Sequence, residues 1–197
     1  MDVFEAMGTA RAMRFFKPDP VPAELLDKVL WAATRASSPN NTQAWGFIVV
    51  QDPAVRRRMG ELFAPFAERV KGMPDPGNDV DRRTLKGAMN LGATMGDIPC
   101  IVLVCGRNVY PPQKPQEVMM YSALHAASQN LVVAARAVGL GAAFTTLHHT
   151  AEPQLRELLG IPDDVFIGTL IPMGYPAGPE GPVKRKPLDE VVHYDRW

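Results

Sequence analysis

"RASSPNNTQAWGFIVVQ", residues 35–51, is the stretch on which the fold class turns. Its second half is β-branched and aromatic and too short for a helix, so it reads as a strand. Before it, Leu25, Leu26, Val29, Leu30 and Ala33 repeat at helical spacing behind Pro22, a residue suited to a first helical turn. A helix therefore runs into a strand through a loop of serines, asparagines, a proline, a threonine and a glutamine. That loop is longer than the roughly two to six residues such a connection takes. It is either a plain connection or a surface that hydrogen-bonds a polar, planar ligand.

Working outward, residues 2–15 suggest a short amphipathic helix, with Asp2 as its cap and Val3, Phe4, Met7 and Ala10 on one side. "KPDPVP" breaks it. After Asp52-Pro53, Val55, Met59, Leu62, Phe63, Phe66 and Val70 share one helical face, with Pro65 a possible kink. A weaker helix spans about Val80 to Met95, and "IPCIVLVC" reads as a buried strand. Residues 106–116, rich in proline, form a surface excursion or lid. The strongest helix follows, Glu117 to Val138, rich in alanine so that neighbours can approach closely, and Gly139 stops it. "GAAFTT" is expected to return as a strand, then a helix from about Ala151 to Leu159 and the strand "VFIGTLIPMGY". The tail, residues 178–197, has no period of its own and must lie on something. Helices and strands are mixed without strict alternation, which points to α+β and a single domain over 1–197.

The totals exclude several functions. Lys plus Arg equals Asp plus Glu at 21 each, so there is no electrostatic footprint for nucleic acid or an anionic membrane. No apolar run approaches the roughly 20 residues of a membrane span, and the start lacks a basic signal region. Cys100 and Cys105 lie inside one apolar run, as buried free thiols in a reducing compartment would. The expectation is a cytoplasmic protein. There is no GxGxxG after a strand and no P-loop.

Catalytic constellations are equally absent. His125 reads as a core histidine of the long helix. His148 and His149, adjacent on an expected strand and without an acidic neighbour, would point to opposite faces, so no metal site is expected. An enzyme built this way would leave the reaction to a cofactor. Arg11 and Arg14 sit three apart, and Lys184, Arg185 and Lys186 cluster near the C-terminus. Taken alone, each group reads as a solvated patch before it reads as a site, yet a phosphate needs two or three converging donors of this kind.

"ARAMRFFKPDPVP", "SSPNNTQAWGFIVV", "GLGAAFTT", "IPMGYPA" and "KRKPLDEVV" occur in that order over nearly the whole chain. Together they resemble the FMN-dependent nitroreductase superfamily. The resemblance implies a mixed, mainly antiparallel sheet flanked by helices, and a homodimer with FMN at its interface. It implies that Arg11, Ala12, Met13 and Arg14 form the opening flavin block, with Arg11 on the phosphate and Arg14 at the pyrimidine edge or ribityl chain. Ala10 and Ala12 replace a basic residue and a serine of the family pattern. Arg185 matches the C-terminal basic position and could make up the phosphate charge. Ser37, Ser38, Pro39 and Asn41 match the stretch that meets the flavin from the partner subunit, which would explain the polar loop. Phe144, Thr145, Thr146 and Leu147 match the segment behind the ring system.

The implied reaction is ping-pong. Hydride passes from NADH or NADPH to the flavin, then electrons pass to a nitroaromatic, quinone or related acceptor stacked in the same place. No protein residue need be catalytic, though Arg14 would give electrostatic support. Acceptor choice would lie in residues 64–80 and 106–121, with Phe66, Tyr110 and Tyr121 as candidate walls. One family branch consumes its flavin but expects an aspartate where Ala12 stands. Another removes halogen from iodotyrosine with a lid tyrosine, and positions 51–109 hold none. A non-catalytic FMN-binding storage or sensor protein is the alternative.

Overall fold

The computed structural model describes residues 1–178 and 181–197. Its centre is the run Cys100–Arg107, strand β2, in which successive residues serve opposite sides of one sheet. Cys100, Val102 and Val104 enter one hydrophobic cluster, and Ile101, Leu103 and Cys105 enter another. This two-sided burial explains a continuous apolar run where a half-exposed strand would alternate. Strand β4, Val165–Gly174, does the same beside it.

Among the described residues, strands β1 (Trp45–Val50), β2, β4 and β3 (Gly141–Ala142) form one sheet in the order β1-β2-β4-β3. All three ladders are antiparallel, and a parallel bridge from Ala12 to Ala142 makes the β3 edge mixed. Helices α2 (Ala23–Ala33) and α5 (Glu117–Ala137) cover one face. Helices α3 (Pro53–Lys71), α4 (Asp79–Ala93) and α6 (Glu152–Leu159) cover the other. The expected α+β class and helix-flanked antiparallel sheet are what the chain forms. None of the described helices is long and apolar enough to cross a membrane.

Helix α5 lies against the sheet because two glycines let it. A Cβ on Gly106 would stand 2.7 Å from Leu124 Cδ2, and one on Gly168 would stand 2.9 Å from Leu124 Cβ. Ser128 on α5 donates to the Leu124 carbonyl and meets the Thr169 hydroxyl at 2.7 Å, so both fully buried hydroxyls are satisfied.

Three expectations are corrected. The first helix, α1, covers only Val3–Thr9, capped by Asp2, whose Oδ1 accepts from the Glu5 N–H. Residues 10–16 are instead drawn out by pairing at Ala12–Ala142 and Phe16–Pro176, long-range bonds that local periodicity cannot reveal. The apolar side assigned to α1 is not buried: Phe4 is 82% exposed, and Val3 and Met7 also face outward. In "GAAFTT" only Gly141 and Ala142 are strand; the ladder is interrupted as Phe144 turns out and resumes at a single Thr145–Leu170 bridge.

Both cysteines are free and buried, and loss of water pushes each thiol up to about 12. Against an ordinary thiol that is roughly a thousandfold less thiolate at neutral pH. Neither should react with iodoacetamide at pH 8 in the native protein, while both should in guanidinium. Mass spectrometry showing native alkylation of either would refute the burial.

Candidate flavin site

The strip after α1 is held on both sides. The Met13 N–H donates to the Ala142 carbonyl at 2.9 Å, and the Ala177 N–H to the Phe15 carbonyl at 2.9 Å. Met13 is buried, its Cγ lying 2.7 Å from where a Cβ of Gly141 would be. Extended backbone then alternates its neighbours outward: Arg11 and Ala12 are exposed and Arg14 is half-buried. Loss of water, then the like charge of Arg11, lowers the Arg14 pKa, although a guanidinium stays charged. Two cations close enough to oppose one another, with no carboxylate paired to either among the described residues, suit an anion.

Arg14 is also clamped from α4. Asn90 Nδ2 donates to the Arg14 carbonyl at 2.7 Å, and a Cβ on Gly87 would fall 2.7 Å from Arg14 Cδ. Sequence reasoning did not single out Gly87 or Asn90. Asn90 lies 76 positions from Arg14, and nothing local to α4 signals the contact. The tail reaches the same corner, since the Val183 N–H donates to the Gly8 carbonyl at 2.9 Å. Lys184, Arg185 and Lys186 follow directly in the chain from this contact with the end of α1. Arg185 is exposed, and its Nη1 donates to the Lys184 carbonyl. Pro179 and Glu180 of the tail lie outside the described residues. Beyond residue 183 the tail leaves Leu188, Tyr194 and Trp197 uncovered by its own chain.

Phe144, Thr145, Thr146 and Leu147 follow β3 at this edge. Thr145 Oγ1 donates to the Leu170 carbonyl at 2.7 Å, so its hydroxyl is committed to the sheet. Phe144 and Thr146 are outward, and Leu147 packs on the second core cluster. The opening block and this segment are thus side by side, through Ala12, Met13 and Ala142.

The polar loop is elsewhere. Pro39–Asn41 is a 3-10 turn entering β1, at the opposite edge of the sheet from β3. Asn40, Asn41 and Gln43 have φ of 50°, 51° and 49°, a left-handed conformation that asparagine tolerates and that costs Gln43 roughly 1–2 kcal/mol. Ser38 Oγ accepts from the Gln43 N–H at 3.1 Å and helps to hold it. Part of the loop's polarity is therefore spent on its own shape, while Ser37 and Asn41 stay exposed. A strained Gln43 beside two left-handed asparagines in one exposed turn is the kind of local strain that clusters at functional sites.

The candidate acceptor walls do not converge within one chain. Tyr110 lines a groove with Pro39, Thr42, Arg107 and Met119. Phe66 packs between α3 and α4, 2.9 Å from where a Cβ of Gly92 would be, with the Arg69 guanidinium over its ring. Tyr121 stacks on His125, whose ring also meets Phe144, each at 5.6 Å between centroids. His125 is exposed, not the core histidine expected, because it lies on the outer side of α5. The expected strand at His148 and His149 is a 3-10 turn, Leu147–Thr150, which puts their rings 4.1 Å apart and brings Glu152 to them. Burial and the His149 charge push the His148 imidazole down to about 4, against the opposing pull of Glu152 and the Ile167 backbone.

With this geometry in place, the likenesses to known proteins fall on the same residues. The nitroreductase family model matches residues 9–175. A protein of Methanothermobacter thermautotrophicus provisionally named NADH dehydrogenase/NAD(P)H nitroreductase is 30% identical, over 100% of this chain and 88% of its own. Iodotyrosine deiodinase 1 of Rattus norvegicus is 29% identical, over 97% of this chain and 68% of its own. A nitroreductase of Desulfitobacterium hafniense, solved with bound FMN, shares the fold with a TM-score of 0.74 at 20% identity, over 99% of this chain and all of its own. The family match and the strip, loop and edge segment that it spans lead to one conclusion: the chain belongs to the nitroreductase family.

Proposed function

We propose that this chain is an NAD(P)H-dependent FMN oxidoreductase that works as a homodimer and reduces small electron acceptors such as nitroaromatics and quinones by a ping-pong mechanism. One observation carries the reading. The two arginines and the segment 144–147 lie at the β3 edge, and the strained loop at 37–43 lies at the β1 edge, with two strands between them. At about 4.8 Å per strand, three intervals separate them by roughly 14 Å. One chain therefore presents two halves of a site at different places, and a second copy would bring unlike halves together.

The residues present fit FMN. Arg11 and the basic run led by the tail's contact with Gly8 offer charge to a phosphate, and Arg14 supplies a half-buried cation. Ser37 and Asn41 offer polar groups from the partner's loop. Ala12 lacks a hydroxyl, but its backbone is fixed by the bridge to Ala142. FMN, when bound, accepts hydride from the nicotinamide and releases electrons to the acceptor. The chain's part is to orient and to stabilise charge, with Arg14 fixed by α4 before any ligand arrives, so that no reorganisation is required. The acceptor is not read as an iodotyrosine, since α3 and α4 contain no tyrosine.

The test is the visible spectrum of the purified protein under anaerobic titration with NADH or NADPH. A flavin spectrum that bleaches and then recovers with a nitroaromatic or quinone supports the reading. A flavin that neither nucleotide bleaches would replace it with the storage or sensor reading. A colourless protein that takes up no FMN would end it.

A further inference from the structure

We propose that His148, His149 and Glu152 bind a zinc-class divalent metal ion at the start of α6. Their ligand atoms all lie within 4.8 Å of one another. The second observation is independent of that clustering. His148 has no exposed surface, and neither ring nitrogen makes a hydrogen bond of normal geometry, although the Ile167 backbone lies near enough to favour the charged ring. A buried imidazole with a nitrogen left unsatisfied is costly, and an ion at the mouth of the turn would satisfy it.

The chemistry of the donor set selects the ion. Two imidazoles and a carboxylate suit zinc and its borderline neighbours better than magnesium or calcium, which take oxygen ligands. Zinc–nitrogen bonds near 2.0–2.1 Å require donors roughly 3.3 Å apart in a tetrahedron. His149 Nδ1 and Glu152 Oε2 already stand 3.4 Å apart. The remaining closure falls to rotation of His149, whose side chain is 62% exposed and free to turn. The same exposure leaves a fourth position open to water.

Glu152 is prepared for this role. Arg156 Nε and Nη2 both donate to Oε1, at 3.1 and 2.9 Å, which leaves Oε2 facing His149. Arg156 is itself anchored on the Pro162 carbonyl at 3.1 Å. Outer partners of this kind orient ligating carboxylates in metal sites. The charge of Arg156 also repels a cation and limits the affinity.

The experiment uses the purified 197-residue protein, loaded with zinc chloride, dialysed, and assayed for metal by mass spectrometry and by competition with a chromophoric chelator. One zinc per chain is expected, with the dissociation constant raised at least tenfold in both H149A and E152Q. Neither substitution enters the packed core, and unchanged circular dichroism checks the fold. In a copper-substituted sample, electron paramagnetic resonance should show two imidazole nitrogens, falling to one in H149A. Substoichiometric zinc, a wild-type affinity retained in H149A or E152Q, or a copper signal unchanged by H149A would overturn the site and leave His149–Glu152 as a surface pair.

Discussion

Phe4→Asp is expected to split the proposed dimer and to strip it of flavin. Phe4 is 82% exposed on α1, beside Val3 at 53% and Met7 at 56%, and Trp31, Tyr194 and Trp197 add further uncovered aromatic surface. Three large apolar side chains left uncovered within five residues of one short helix make a patch of the kind that marks an interface. Burying one phenylalanine is worth about 1.5–3 kcal/mol, and a two-fold interface counts it twice before the cost of a buried carboxylate. Dissociation should become at least about a thousandfold easier on that scale. Light scattering should then give the 21.6 kDa of one chain instead of twice that mass. FMN should be lost in the same step, because the 37–43 loop and the Arg11–Arg14 strip would no longer meet. Only Ala6 of α1 is buried in its own chain, so the secondary structure should survive. A variant that stays dimeric and yellow would overturn the interface.

Arg14→Ala carries the second large effect. Flavin reduction by the nicotinamide should slow by about 2–4 kcal/mol, or roughly 30- to 1,000-fold, the usual cost of removing one oriented electrostatic donor. The backbone should stay in place, since Asn90 holds the Arg14 carbonyl and not its side chain. Retention of FMN should change less than in Arg11→Ala, where the loss falls on the phosphate. Arg14→Lys should recover part of the rate, because it keeps the charge and loses the planar fork. Stopped-flow reduction at saturating nicotinamide separates the two residues; equal rates for wild type and Arg14→Ala would remove Arg14 from the reaction.

Much of the fold was legible. Periodicity located α2, α3 and α5 to within a residue or two, and the apolar density of residues 98–105 identified β2 as a buried strand. The order of motifs led to the family, which the match over residues 9–175 shows. Failures occurred where a distant partner decided the outcome. Residues 10–16 have the composition of a helix but pair with Ala142 and Pro176, and "GAAFTT" is split by the turn of Phe144. His148 and His149 were placed on a strand, whereas Pro153 in the first turn of α6 follows a 3-10 turn that gathers both rings and Glu152.

The sequence by itself determined the α+β class, the helices with a clear apolar face, and which residues carry the charges and amides that the proposed flavin site calls on. These depend on side-chain chemistry and on spacings of two to four residues, which a linear text preserves. Only the tertiary structure decided that Arg14 is held by Gly87 and Asn90, that the 35–51 stretch ends at the far edge of the sheet from Arg11, and that the apolar face of α1 is left uncovered. Those facts rest on strand order and on contacts between residues far apart in the chain. The free energy of such contacts comes from surfaces that do not exist until the sheet has formed.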